Sequence, residues 1–439
     1  MSIYHPELLA TPVPRYTSYP TAADFHDGVG PGDMAAALAA VGPDEPVSLY
    51  LHIPFCQEIC WYCGCNTGAS GRGNRLAAYL ERLTAEIEMA AKQLGGRGRV
   101  TRIAVGGGSP NAVAPKDLAA LLAIVRRAFG VEDAIISVEV DPRHLTEAWA
   151  GVLRDTGVTH ASLGVQTLAP AIQTAIGRVQ PLAVVERSVR LLRDAGITSL
   201  NFDLMYGLPG QRREDLAATL AQSIALQPDR LAVFGYAHVP HLIPRQRLIA
   251  TDALPGAAER FEQAALAHAQ LTAAGYQPIG FDHFALPGDP LAVAAREGRL
   301  HRNFQGFTDD DADVVIGMGV SAISQFSCVI LQNHKHSGRY HLAVERGDFA
   351  TNLGCRRSAD DWLRGRIIEG ILCNGVAETA ALGDRSAFHK LETFEALGLL
   401  GWRGARLELA PDAMPYARSI AAAFDSCRSQ SQVQLSRAV

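Results

Sequence analysis

The chain has 439 residues, 48% apolar, 19% charged and 7% aromatic, which gives it a large core and rules out disorder as its dominant state. Lys and Arg number 40 against 45 Asp and Glu, a net charge of −5 with no basic block, so the footprint of a nucleic-acid binder is absent. No apolar run reaches the roughly 18 residues of a membrane span. The opening MSIYHPELLATPVPRY lacks the regions of a signal peptide, so a cytoplasmic protein is expected.

Residues 1–45 read as an arm, Pro-rich at PVPRYTSYPT and then helical in an Ala-rich stretch. Strand–helix alternation follows. VSLYLHI (47–53) predicts a strand that enters a cysteine-rich loop, and 74–93 a helix. Strands are predicted over 100–108, 135–142, 160–167, within 197–210 and over 229–240. Helices are predicted over 115–129, 145–156, 181–195 and 213–226. Alternating units imply a parallel α/β sheet with right-handed crossovers, as a partial (β/α)6-type barrel or a doubly wound sheet. After Pro240 the rhythm changes: a helix over 256–275, a short strand at QPIGFDHF, a Gly-containing stretch over 290–330 and a polar loop QNHKHSGRYH. A helical region with a strand at RGARLELA ends the chain, and a winged domain is one option there. The expected division is an arm (1–45), a barrel core (46–250), an extension completing the active site (251–345) and a mainly helical domain (346–439).

Four of the eight cysteines, Cys56, Cys60, Cys63 and Cys65, fall within ten residues in LYLHIPFCQEICWYCGCNT. A disulfide framework belongs to short secreted chains, so this cluster reads as metal or iron–sulfur ligation. Zinc sites favour two separated pairs, and no second pair lies nearby. C-x3-C-x2-C on one loop suits a [4Fe–4S] cluster, with three thiolates on three irons and the fourth iron open. A structural zinc or four buried thiols is the alternative.

Parallel strands buried on both faces are normally apolar throughout. Here IISVEVDP sets Ser137, Glu139 and Asp141 on one face, LGVQT ends in Gln166, and NFDLMYG carries Asn201 and Asp203. Glu139, Gln166 and Asp203 therefore stand near the C-terminal ends of three neighbouring strands, where such folds hold ligands. GGGSPN matches neither common phosphate motif, and GLPG (207–210) reads as a turn. His334, His336 and His341 are expected in a solvated loop, and His238 and His241 in a pocket wall. Cys373 reads as core, while Cys328, Cys355 and Cys427 have no visible partner.

C-x3-C-x2-C after a first barrel strand resembles the radical S-adenosylmethionine (SAM) superfamily. The fuller HIPFC…C…C-G-C string is similar to its oxygen-independent coproporphyrinogen III oxidases, also called dehydrogenases. The likeness continues through PRYTSYPTA, GGGSP, SVEVDPR, LGVQT, DLMYGLPGQ, FGYAHVP, DHFALP, LHRNFQGFT and GMGVSAIS, densely over 14–335. It implies Cys56, Cys60 and Cys63 as ligands of a [4Fe–4S] cluster whose open iron takes the amino and carboxylate groups of SAM. Cys65 would not be a ligand but could serve turnover, and Tyr62 would pack on the adenine. Glu139, Gln166, Arg178 and Asp203, with Tyr50, Gly107, Gly108 and Ser109, would bind SAM, the glycines by letting backbone approach it. Ala237, Gln305 and Ile323 would contact a second SAM, with Phe304 beside them.

The activity implied is anaerobic conversion of two propionates of coproporphyrinogen III to vinyl groups in haem biosynthesis. A substrate with several carboxylates needs local cations, and Arg15 and Arg302 are the candidates. An electron donor and an acceptor outside the chain, and a monomer, are expected. A radical SAM methyltransferase acting on haem and a haem-binding chaperone are the alternatives. Gly64-Cys65 and the PRYTSYP arm favour the decarboxylase. The sequence departs from the pattern at Asn111, at CNGVAE and at His241, all on the substrate side.

Overall fold

The structure, a computed structural model, describes residues 3–70 and 74–427. Its centre is a row of six parallel strands in chain order: β1 (Pro46–Ile53), β2 (Arg99–Gly107), β3 (Ile135–Val140), β4 (His160–Gln166), β5 (Ser199–Tyr206) and β6 (Arg230–Gly235). The helices that alternate with them are α1 (Asn74–Leu94), α2 (Pro115–Phe129), α3 (Glu147–Asp155), α4 (Leu182–Asp194), α5 (Arg213–Ala225) and α6 (Ala257–Ala273). Helix α2 shows why the boundaries were legible: Pro115 starts it where an N–H is not needed, and Gly130 ends it at φ +64°. In β3 the residues alternate between buried and half-buried. The buried set packs on the helices, and the half-buried set, with Glu139, faces the barrel interior.

The row does not close into a barrel. Beyond β6 lie β8 (His283–Ala285) and β7 (Gln277–Ile279), an antiparallel hairpin, so QPIGFDHF is two strands rather than the single one expected. Gly280, at φ +58°, makes the turn. The stretch over 290–330 supplies a second hairpin, β9 (His301–Asn303) with β10 (Gly306–Thr308), and then β11 (Val314–Met318) and β12 (Ile323–Gln325). β11 pairs in parallel with β1, and β12, β13 (Val329–Asn333) and β14 (Thr351–Arg356) follow antiparallel, completing a sheet of 12 strands.

The polar string QNHKHSGRYH is not a loop. Its start is the end of β13 and most of its remainder begins helix α7 (Ser337–Glu345), where the His341 ring lies against Tyr79 and Tyr340. The N-terminal side of the open sheet is tied by buried ion pairs. Arg102 of β2 meets Asp309 at 2.6 Å, and Arg230 of β6 meets Asp289 at 2.8 Å and Asp309 at 3.5 Å. One acidic segment thus bridges the second and sixth strands.

Helix α8 (Ala359–Asn374) is capped by Ser358 and stopped by Gly375 at φ +66°. It packs with a three-stranded antiparallel sheet and short helices running to Phe424. Leu9, Val13, Tyr16 and Tyr19 of the N-terminal arm are buried in this same core, beside Ile371, Leu372 and Phe424.

Candidate active site

The cysteine loop leaves the C-terminal end of β1 and is clamped from two sides. Trp61 donates its N–H to Ile176 at 3.1 Å, and its ring fills the space a Cβ on Gly177 would need, only 2.7 Å away. From the segment after β6, Gln246 Nε2 donates to the Tyr62 carbonyl at 2.9 Å and to the Ala237 carbonyl at 3.0 Å. Arg245 donates to the Cys65 carbonyl at 2.9 Å and to Thr67 Oγ1 at 3.1 Å. Tyr62 packs beside Ile172, Ile176 and Tyr236. All eight cysteines are unpaired.

Charge is concentrated around Cys60. Arg178 Nη1 lies 3.3 Å and Arg143 Nη2 3.5 Å from its Sγ. Both arginines also bind Asp141, Arg143 at 2.6 Å and Arg178 at 3.2 Å. Burial opposes ionisation of Asp141, but Arg178 and then Arg143 outweigh it and hold the carboxyl at about 2. Asp141 escaped the sequence reading as a functional residue, although DPR is the string that places it. Cys65 donates its N–H to Cys63 Sγ at 3.4 Å; a hydrogen bond from the Cys65 thiol draws Cys63 down, and the same contact pushes Cys65 up.

Among the described residues, no three His, Cys, Asp or Glu side chains converge as ligands of a single ion do. A [4Fe–4S] cluster asks for something else, since each thiolate meets a different iron. The donor set fits that group: three sulfurs on one loop, two guanidinium forks at Cys60, and a buried Arg178 Nε with no partner. That leftover donor suits the carboxylate of a bound amino acid.

The strand ends supply the polar wall. Glu139 of β3 stands beside Ser162 of β4, and Gly164 of β4 beside Asp203 of β5. Asp203 accepts from Ser162 at 2.8 Å and from Asn201 at 2.9 Å. Burial raises its pKa, and burial likewise raises Glu139 to about 7, although Gly107 N–H donates to it at 3.0 Å. The sequence spacing put Gln166 in step with these two, and the structure does not. A bulge intervenes, its backbone turns to φ +62°, and its side-chain amide folds back over Gly164 next to Arg178.

The glycine run is closely packed by the chain itself. A Cβ on Gly106 would sit 2.5 Å from the Glu139 carboxylate, one on Gly107 2.5 Å from the His52 ring, and one on Gly108 2.6 Å from the Phe55 carbonyl. The chain's own groups occupy these spaces. Ser109 Oγ donates to Asn111 Oδ1 at 2.6 Å, and Asn111 exchanges hydrogen bonds with the Asp141 backbone. Asn111 therefore holds the glycine loop to the end of β3, a structural post rather than a substrate contact.

Tyr50 of β1 donates to His52 Nδ1 at 3.1 Å, and burial brings His52 down to about 4, so the imidazole is neutral. The Phe304 ring meets Tyr50 edge-on at 4.7 Å. Gln305 is exposed at the tip of the same hairpin, and Ile323 begins β12 next to buried Ala322. Ala237 lies across the mouth, after β6. The structure brings Phe304 to Tyr50 and leaves Ala237 on the other flank.

Arg15 and Arg302 are neighbours. Arg302 donates to the carbonyls of Arg15 and Tyr16, both at 3.2 Å, and lies 4.3 Å from the Phe307 centroid. Arg15 donates to the Gly235 carbonyl at 2.9 Å. His238 bridges Tyr236 and Thr251, and His241 is exposed. Cys373 is buried.

Comparison with known proteins gives a consistent picture. Residues 50–222 match the radical SAM superfamily model. The chain is 42% identical over 440 residues to an oxygen-independent coproporphyrinogen III oxidase of Bradyrhizobium diazoefficiens, covering 97% of each chain. It is 38% identical to the Pseudomonas aeruginosa protein of the same name, covering 94% of this chain and 93% of that one. Among solved structures, the Escherichia coli coproporphyrinogen III oxidase, a radical SAM enzyme, superposes with a TM-score of 0.90 at 35% identity over 97% of this chain and 99% of its own.

Proposed function

This chain belongs to the oxygen-independent coproporphyrinogen III oxidases of the radical SAM superfamily, and from that membership we infer how its residues serve the reaction. It is an enzyme of haem biosynthesis that oxidatively decarboxylates coproporphyrinogen III without oxygen. Each reacting propionate loses a β-hydrogen, CO2 and one further electron and becomes a vinyl group, giving protoporphyrinogen IX. When bound, the [4Fe–4S] cluster and SAM supply the hydrogen-abstracting 5′-deoxyadenosyl radical by one-electron cleavage of SAM.

In this reading Cys56, Cys60 and Cys63 hold the cluster, and Arg143 and Arg178 neutralise charge on the Cys60 sulfur. Glu139 and Asp203 receive the polar groups of SAM, Tyr62 flanks its adenine, and the unpartnered Nε of Arg178 faces its carboxylate. Gln166, Tyr50, Gly107, Gly108 and Ser109 shape the same wall. A second SAM would lie toward Phe304, Gln305 and Ile323, with Ala237 opposite. The chain's contribution is to orient the propionate and exclude water. Cys65, whose N–H donates to Cys63 Sγ, is the residue we assign to turnover.

An electron donor and an acceptor outside the chain complete the stoichiometry, and we take the protein to act as a cytoplasmic monomer. No helix among the described residues is long and apolar enough to cross a membrane. The proposed divisions are the arm to residue 45, the core over 46–250, the extension over 251–345 and the helical domain beyond, with β14 as that domain's gift to the large sheet.

The observation that carries the assignment is the three-cysteine loop at the mouth of β1, with two arginine forks on Cys60. The test is anaerobic: reconstituted enzyme, coproporphyrinogen III, SAM and a reductant are expected to give vinyl product and 5′-deoxyadenosine. C60A is expected to give neither. Stoichiometric haem binding without decarboxylation by the wild-type protein would point to a chaperone instead.

A further inference from the structure

The ends of β5 and β6 open into a cavity of about 290 Å3 between the barrel, the arm and the C-terminal domain. Three arginines from three parts of the chain line it: Arg15 from the arm, Arg260 from α6 and Arg418 from the C-terminal helices. They converge on one place. At Gly235, the tip of β6, Arg15 donates to the carbonyl, and a Cβ there would meet the Tyr206 hydroxyl at 2.9 Å and an Arg260 nitrogen at 3.2 Å. The Arg418 guanidinium lies 5.5 Å from the Phe281 centroid on the same wall. Burial, and then the Arg15 guanidinium, brings Arg418 down to about 10.

The acids on this wall are Asp282 and Asp412. Asp282 is engaged by His283 Nδ1 at 2.6 Å and also faces Arg302, Arg15 and Arg418, so one carboxylate is shared among several cations. Three guanidinium groups and two carboxylates on one lining leave the cavity wall net positive, which favours an anionic ligand. The volume suits an arm of a ligand rather than a macrocycle, since pockets that enclose whole drug-sized ligands run from roughly 300 to 1,000 Å3. Ala237, on the same lining, ties the cavity to the mouth of the barrel.

We propose that Arg15, Arg260, Arg418 and the Tyr206 hydroxyl form an anchoring subsite for a carboxylate of the tetrapyrrole, one that is not itself reacting. This rests on the coproporphyrinogen reading above. Guanidinium forks match a carboxylate's two oxygens, and a phenol adds a third donor direction. Anchoring a remote carboxylate fixes which propionate reaches the reacting centre.

The test titrates the full-length protein with coproporphyrin III, the fluorescent oxidised form of the substrate, and with its tetramethyl ester. R418A is expected to weaken coproporphyrin binding about tenfold, with R418K intermediate because it keeps the charge and loses the fork. The ester is expected to bind weakly and equally to all variants. SAM binding to the reconstituted protein is expected to stay unchanged. Thermal melting checks that each variant folds, and R15Q, in the arm, repeats the measurement if R418A does not. Equal coproporphyrin affinity in wild type and R418A or R15Q overturns the subsite and leaves the enzyme assignment standing. Loss of SAM rather than porphyrin binding overturns it too, by giving the cations to the SAM carboxylate. A wild-type protein that does not bind coproporphyrin at all overturns both.

Discussion

Glu139 is a carboxyl raised from 4.5 to about 7 by burial, so the folded chain keeps its proton where the unfolded chain has lost it. The stability this group contributes is therefore present below about pH 4.5 and is lost as pH rises toward about 7. E139Q is expected to flatten that part of the Tm-against-pH curve of the SAM-free protein while weakening SAM binding; an unchanged slope would refute the burial account. The glycine run separates two effects. G106A pushes on the movable Glu139 carboxylate, so SAM affinity is expected to fall about tenfold with little change in Tm. G108A pushes on the Phe55 carbonyl, which cannot yield, so a stability loss of about 2–3 kcal/mol by urea unfolding is expected. At this scale the cysteines, Glu139 and Asp203 were legible because chemistry or pleat periodicity marks them. Asn111, Asp141 and Arg143 were not, since their roles exist only where the glycine loop meets β3.

Helix α1 carries a buried carboxylate, Glu86, that accepts from Gly319 N–H at 2.6 Å, Asn333 at 2.7 Å and Tyr340 at 2.8 Å. Tyr79, two turns earlier on that helix, donates to the His52 carbonyl at 2.6 Å and accepts from Val320 N–H at 3.2 Å. The helix therefore joins β1, at the root of the cysteine loop, to the turn that precedes β12. E86A strands these donors and is expected to cost about 3 kcal/mol, and Y79F about 1 kcal/mol, both by urea unfolding. Cluster occupancy after reconstitution is expected to fall with Y79F, because the His52 carbonyl loses its tether. Amphipathic spacing gave α1 its position, and Glu86 falls on its buried face with Tyr79, Leu83 and Ala90, where a charged residue alone does not announce its partners. The same spacing missed the hairpin at β7–β8 and helix α7, whose short apolar runs carry too few repeats to declare a period.

Across the whole molecule, the arm and the C-terminal domain are one core. Tyr16 donates to Asp425 at 2.9 Å across 409 residues of sequence, and the His5 N–H donates to the Tyr416 hydroxyl at 2.9 Å. Deleting residues 1–20 removes Leu9, Val13, Tyr16 and Tyr19 from that core. Limited proteolysis is then expected to cut first within 359–427, with the barrel persisting longer; uniform digestion would refute the shared core. Sequence spacing cannot reveal such a pairing, because nothing local in PRYTSYP names its distant partner. The pairing also orders events on the ribosome. The strands through β13 have all emerged before Asp425 exists, so the barrel and its cysteine loop take shape while the arm still lacks its seat. Arg15 and Arg418 can meet only after the final helices are made. A chain terminated before Arg418 would thus carry the cysteine loop without the arginine-lined cavity.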